Sequence, residues 1–178
     1  MKRKLLFLTL ILALSPFSTT PATAAIDLQA DLSRIAAGIN KFDANSAAAN
    51  SATTIAEVKI IFSNNASVLT EISNANAAFK RDLNSARRQI PSKDTKDSPA
   101  FSTLINLTKG YEEWVKYQRI NQVTGQKCMA SSKNSFTSFS NCLLSNLSKT
   151  LENERVGLIK LQAALNAWKQ WRVKYGYA

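Results

Sequence analysis

From residue 28 onward, apolar side chains recur every three or four positions, the period of an amphipathic helix. Leu28, Leu32, Ile35, Ile39 and Phe42 are spaced 4, 3, 4 and 3 apart, which places all five on one helical stripe. The stretch from Asp43 to Thr54 is almost entirely Asn, Ser, Ala and Thr and reads as a turn. A helix running unbroken from Ile26 to Ile90 would otherwise be about 100 Å long. A second stripe follows in Ile55, Val58, Phe62, Leu69, Ile72, Phe79, Leu83, Ala86 and Ile90, with Ser63-Asn64-Asn65 as a candidate kink or break. Lys80, Arg81, Arg87 and Arg88 lie off this stripe, where a solvated face belongs.

Pro91 and Pro99 bracket a wholly polar segment, and residues 91–98 are expected to be a loop, because proline stops helices and these residues have no core to enter. Beyond it, Ser98 suits a helix cap and Pro99 the first helical position. Phe101, Leu104, Leu107, Tyr111, Trp114 and Val115 then recur at helical spacing, and Gly125 is the expected stop. The last stripe is heptad-like: Leu144, Leu147, Leu151, Leu158, Leu161, Leu165, Trp168 and Tyr175, with a gap at Glu154 and a local weakening at Gly157. No alternating strand pattern occurs. The expected fold is all-α: an up-down antiparallel helical bundle of about four helices, near 26–44, 53–90, 99–123 and 137–175, with an elongated, coiled-coil-like form as one variant. An open helical hairpin that dimerises is the alternative.

The residues before the first stripe have a different pattern. Lys2, Arg3 and Lys4 precede an apolar run from Leu5 to Leu14, Pro16 and Pro21 break it, and Ala22-Thr23-Ala24 supplies the small residues read by signal peptidases. The run is too short to span a bilayer, which takes about 20 residues. Residues 1–24 are therefore expected to be a signal peptide cut after Ala24, with Ala25 as the second choice. Residues 25–178 would form a single helical domain outside the cytoplasm, secreted, periplasmic or at the cell surface.

Export changes the reading of the two cysteines. In an oxidising compartment Cys128 and Cys142 are expected to pair. On one continuous helix their 14-residue step would hold them about 21 Å apart, whereas a bridge needs Cα atoms about 5.5 Å apart. The chain must therefore reverse between them, and Ala130 to Ser135 is the expected turn.

Charge divides the chain. Residues 25–108 hold nine basic and eight acidic residues, net +1, and residues 109–178 hold eleven basic and four acidic, net +7. A basic half attracts polyanions, which outside a cell are lipid headgroups or wall polymers. Nucleic-acid binding is not expected, since no recognition motif accompanies the charge. All three tryptophans lie in the basic half. Trp114 and Trp168 are expected to pack together in the core. Trp171 is harder to bury, so the candidate interaction surface is Lys169, Trp171, Arg172, Lys174 and Tyr177, where aromatic and basic residues suit an anionic surface or a protein partner.

Much chemistry is missing. The chain has no histidine, which removes the commonest general base and metal ligand. It has no zinc, haem or phosphate-loop motif. The densest carboxylates, Glu112-Glu113 and Glu152 with Glu154, are adjacent or two apart and so do not face each other on a helix. Neither catalytic residues, cofactors nor metals are expected. The sequence reads as an exported non-enzymatic helical protein that binds a partner or an anionic surface of the cell envelope. A holdase-like chaperone of exported proteins is the alternative; it needs a large exposed apolar patch.

Overall fold

A computed structural model describes residues 28–88 and 97–174, and every regular element among them is a helix. The five helices are α1 (Leu28–Ala49), α2 (Ile55–Arg87), α3 (Asp97–Ser131), α4 (Phe136–Ser145) and α5 (Leu147–Lys174). The proposed signal peptide and most of the 91–98 loop lie outside the described residues.

Local chemistry explains several helix ends. The α1–α2 turn is tighter than the sequence suggests, because the Ala-rich run to Ala49 stays helical. Thr54 then starts α2 with a capping box. Its Oγ1 accepts from the Glu57 N–H at 3.2 Å, and the Glu57 carboxylate accepts from the Thr54 and Thr53 N–H groups at 3.0 and 2.8 Å. Those bonds, the one from Thr53 first, hold the Glu57 carboxyl below its ordinary pKa. Asn64 and Asn65 do not interrupt α2. At 33 residues, α2 is about 50 Å long. Pro99 sits in the first turn of α3, where its missing N–H removes no helical hydrogen bond.

Two expected boundaries are corrected. Gly125 does not stop α3, which continues to Ser131. Its role is close approach: a Cβ at Gly125 would collide with the Phe62 ring of α2. The expected fourth helix is two helices, divided at Asn146. The Asn146 N–H donates to Leu143 O, its side-chain Nδ2 donates to Cys142 O at 2.9 Å, and its own carbonyl accepts from Thr150 N–H at 3.0 Å. One residue thus ends α4 and begins α5.

Packing joins α1 to α2, α2 to α3, and α3 to α5. Within each pair, rising numbers on one helix meet falling numbers on the other, so the partners run in opposite directions. Lys41 meets Glu71 and Asp31 meets Asp82; Asn76 meets Thr108 and Phe62 meets Gln122. Gly110 meets Leu161, and Trp114 and Tyr117 meet Gly157. The α3–α5 seam is close because both helices present a glycine: a Cβ on Gly110 would lie 2.8 Å from Leu161 Cα, and one on Gly157 3.1 Å from Tyr117 Cβ.

The apolar side chains form two separate cores. The larger takes Leu32, Ile35 and Ile39 from α1, Leu69, Ile72, Phe79 and Leu83 from α2, Leu104, Leu107 and Tyr111 from α3, and Leu161 and Trp168 from α5. Each large apolar side chain fully removed from water contributes about 2–3 kcal/mol. The smaller core lies at the other end of α2 and α3 and is built on Ile55, Val58, Cys128 and Phe139. Phe62 and Phe136 pack against Phe139 with ring centroids 6.5 and 6.2 Å away.

Trp114 and Trp168 are both buried in the large core, but they do not pack as the expected pair. Trp114 lies beside Gly157, well along α5 from Trp168, and its ring meets Phe42 of α1 edge-on at 5.4 Å. The heptad-like stripe also splits. Leu161 is wholly buried, while Leu144, Leu147 and Leu151 are 66, 47 and 51% exposed. At that level of the fold the small core is filled from α2, α3 and α4, through Phe139 and Phe62, and these leucines take no part in it.

Candidate functional site

The expected disulfide is present. Cys128 near the end of α3 and Cys142 on α4 are bonded, with Cα atoms 5.5 Å apart. The chain reverses between them through Ser132, Lys133 and Asn134. Lys133 and Asn134 adopt left-handed backbone, with φ of 48° and 64°. Ser135 then caps α4, its Oγ accepting from the Ser138 N–H at 3.2 Å. Cys128 is buried in the small core, so the bridge fastens α4 onto α3 from inside.

The candidate interaction residues lie on or beyond the last turns of α5. Lys169 and Lys174 are exposed. The side chains of Trp171 and Arg172, and Tyr177 entirely, lie outside the described residues. Lys169 and Lys174 are five residues apart, about 140° around a helix, so they do not share a face. Trp168, immediately before them, is core.

The carboxylates are dispersed among different cations. Glu112 pairs with Lys80 of α2 at 2.8 Å. Glu113 holds Lys116 of its own helix and Lys160 of α5, each at 3.7 Å. Glu152 meets Arg155 at 2.6 Å, and that hydrogen bond keeps its pKa below the ordinary value. No group of three or more metal-ligating side chains occurs among the described residues.

One acidic pair escaped the sequence reading. Asp31 of α1 is only 3% exposed and faces Asp82 of α2. Burial first, and then the Asp82 carboxylate, push the Asp31 pKa up; Arg34, at 3.2 Å, and Arg81 oppose this. With both acids ionised neither can donate to the other, and Asp31 Oδ2 has no hydrogen-bond partner. Asp31 stands three residues after Leu28 and four before Ile35, which sets it at the edge of the apolar stripe, and that spacing was the available signal. A second buried polar group, Asn76, donates through Nδ2 to Thr108 O at 2.9 Å and ties α2 to α3.

No helix among the described residues is long and apolar enough to cross a membrane. The chain matches no protein-family model, none of the curated proteins and none of the solved structures with which it was compared.

Proposed function

We propose that this is an exported, non-enzymatic helical protein whose basic half binds an anionic surface of the cell envelope. The observation that carries the reading is the distribution of charge over the helices. The +1 half of the sequence forms α1, α2 and the first third of α3, and the +7 half forms the rest of α3, α4 and α5. Charge of one sign concentrated on packed helices raises the local potential and recruits polyanions. The signal-like start, with its basic residues, short apolar run and Ala22-Thr23-Ala24, supports export. The non-enzymatic reading rests on the lack of histidine and on the dispersal of Glu112, Glu113 and Glu152 to separate lysines and arginines; the facing pair, Asp31 with Asp82, has Asp31 buried between α1 and α2. In this reading α1, α2, α3 and α5 act as an up-down bundle, and α4 is an added cap held by the disulfide.

The test has two parts. Protein recovered from the extracytoplasmic fraction should begin at Ala25 or Ile26 by N-terminal sequencing; an intact Met1 in the membrane fraction overturns the export reading. The recovered protein should co-sediment with anionic vesicles or wall polymer at low salt and be released at high salt, because screening shortens to about 8 Å near physiological ionic strength. Failure to sediment with any anionic surface at low salt overturns the binding reading.

A second reading, a holdase-like chaperone, is favoured by one observation: the exposed Leu144, Leu147 and Leu151. It requires that the protein suppress aggregation of an unfolded exported protein, and that Leu147→Ser with Leu151→Ser remove that effect.

A further inference from the structure

On α3, Lys109, Lys116, Ile120, Val123 and Lys127 are spaced 7, 4, 3 and 4 apart, which sets them in one stripe along the helix. All five are exposed, Ile120 at 38% and Val123 at 47%. The stripe belongs to neither seam. Gly110, Trp114, Tyr117 and Asn121 meet α5, and Gln122 and Gly125 meet α2. At about 100° per residue the stripe lies roughly 100° around α3 from the α5 seam, on the side away from α2. On α5, Lys149, Val156 and Lys160 are 7 and 4 apart and form a matching stripe on the same side of the α3–α5 pair. The match is visible in contacts: Glu113 of α3 holds Lys116 from one stripe and Lys160 from the other, each at 3.7 Å. The result is a two-helix face with five lysines; Glu113 is shared between two of them, and the flanking carboxylates Glu112 and Glu152 are held by Lys80 and Arg155. The stripe on α3 alone runs for about 27 Å.

We propose that this α3–α5 face docks on an anionic phospholipid bilayer, a proposal that rests on the envelope-surface reading above and names its surface and its target. Charge complementarity selects an anionic partner. The two β-branched aliphatics select among anionic partners: Ile120 and Val123 stand between Lys116 and Lys127, exposed to solvent. A carbohydrate or phosphodiester polymer gains little from them, whereas a bilayer interface takes up apolar side chains flanked by lysines. The lysine stems lie along the apolar boundary while their ammonium groups stay among the headgroups. The face lies on the membrane and does not enter it, consistent with the lack of a spanning helix among the described residues.

The probes are vesicles of phosphatidylglycerol with phosphatidylcholine, and vesicles of phosphatidylcholine alone, with protein purified from the extracytoplasmic fraction. The unmutated protein should co-sediment with the anionic vesicles in a salt-sensitive manner and leave the neutral ones. Lys109→Glu, Lys127→Glu and Lys149→Glu together should weaken that binding on the order of a hundredfold or more, with helicity and melting temperature retained as controls. Val123→Trp supplies a second readout that needs no loss of function: on vesicle binding its emission should shift to shorter wavelength and be quenched by brominated acyl chains. Several results would overturn the proposal while leaving the broader reading intact. One is a triple variant that binds like the parent while Lys169→Glu, Arg172→Glu and Lys174→Glu abolish binding. Others are binding to wall polymer without binding to vesicles, and vesicle binding with the Val123→Trp emission unchanged. Binding to no anionic surface would overturn both.

Discussion

The two cores are built from the same helices and held in different ways. The large one draws on all four long helices, and many of its members, including Ile35, Leu69, Ile72, Phe79, Leu83, Leu104 and Leu161, are wholly shielded from water. No covalent link supports it, and close approach is achieved with glycines at the α3–α5 seam. The small one has four buried members, Ile55, Val58, Cys128 and Phe139, and one of them is half of a disulfide. Its α4 is only ten residues long, and isolated helices shorter than about 12–15 residues are marginal in water. Where buried area suffices the chain relies on packing, and where it does not the chain adds a covalent bond.

Breaking the large core should have the greatest effect. Trp168→Ala leaves a cavity in the large core and should cost about 3–5 kcal/mol, read as an early cooperative transition in urea. Opening the disulfide should cost less, about 3 kcal/mol for a loop of this length. Its effect should be local. Hydrogen exchange should rise in α4 and the end of α3, while amides around Leu104 to Tyr111 stay protected. Exchange rising equally in α1 would show that the two cores melt as one.

The Asp31–Asp82 contact lies between α1 and α2, beside the large core. Asp31 has a raised pKa in the fold, so its contribution to stability is fully present below its ordinary value of 3.8 and is lost as pH climbs through the raised one. Asp31→Asn supplies a neutral side chain that can donate to Asp82. The variant should be more stable than the parent by about 1 kcal/mol at pH 7 and gain little at pH 3. An equal gain at both pH values would show that the carboxylate pair is not the cause. The smallest effect is expected at the turn of the disulfide corner. Lys133 has φ of 48°, in the left-handed region where glycine carries no Cβ penalty. Lys133→Gly should stabilise this corner by about 0.5–1 kcal/mol, most visibly in the reduced protein. A destabilised variant would mean that the Lys133 side chain contributes more than its backbone costs.

The local features were legible because they depend on neighbours in sequence. The stripes from Leu28 to Phe42 and from Ile55 to Leu83, the Thr54 start of α2 and the turn between Cys128 and Cys142 all follow from spacing and residue type. The glycines misled. Gly125 carries the composition of a stop, but it is a contact point for Phe62, sixty-three residues earlier. Asn146 carried no strong sign of a break, because the side-chain and carbonyl bonds that divide α4 from α5 exist only once both helices form.

The proposed basic face shows the same division. Lys109, Lys116 and Lys127 share a stripe by spacing alone, and so do Lys149 and Lys160. Which stripes lie side by side depends on the angle at which α5 meets α3, and that is set where Gly110 lets Leu161 approach and Gly157 admits Tyr117 and Trp114. The same packing decides which apolar residues of a continuous stripe are covered, burying Leu161 and leaving Leu151 in water. The helical period, the net charge of each half and the chemistry that is missing can be read from the chain alone, because they are properties of residues and their spacing. The two cores, the Asp31–Asp82 contact and the pairing of lysine stripes arise on folding, because each depends on the distance between helices remote in sequence.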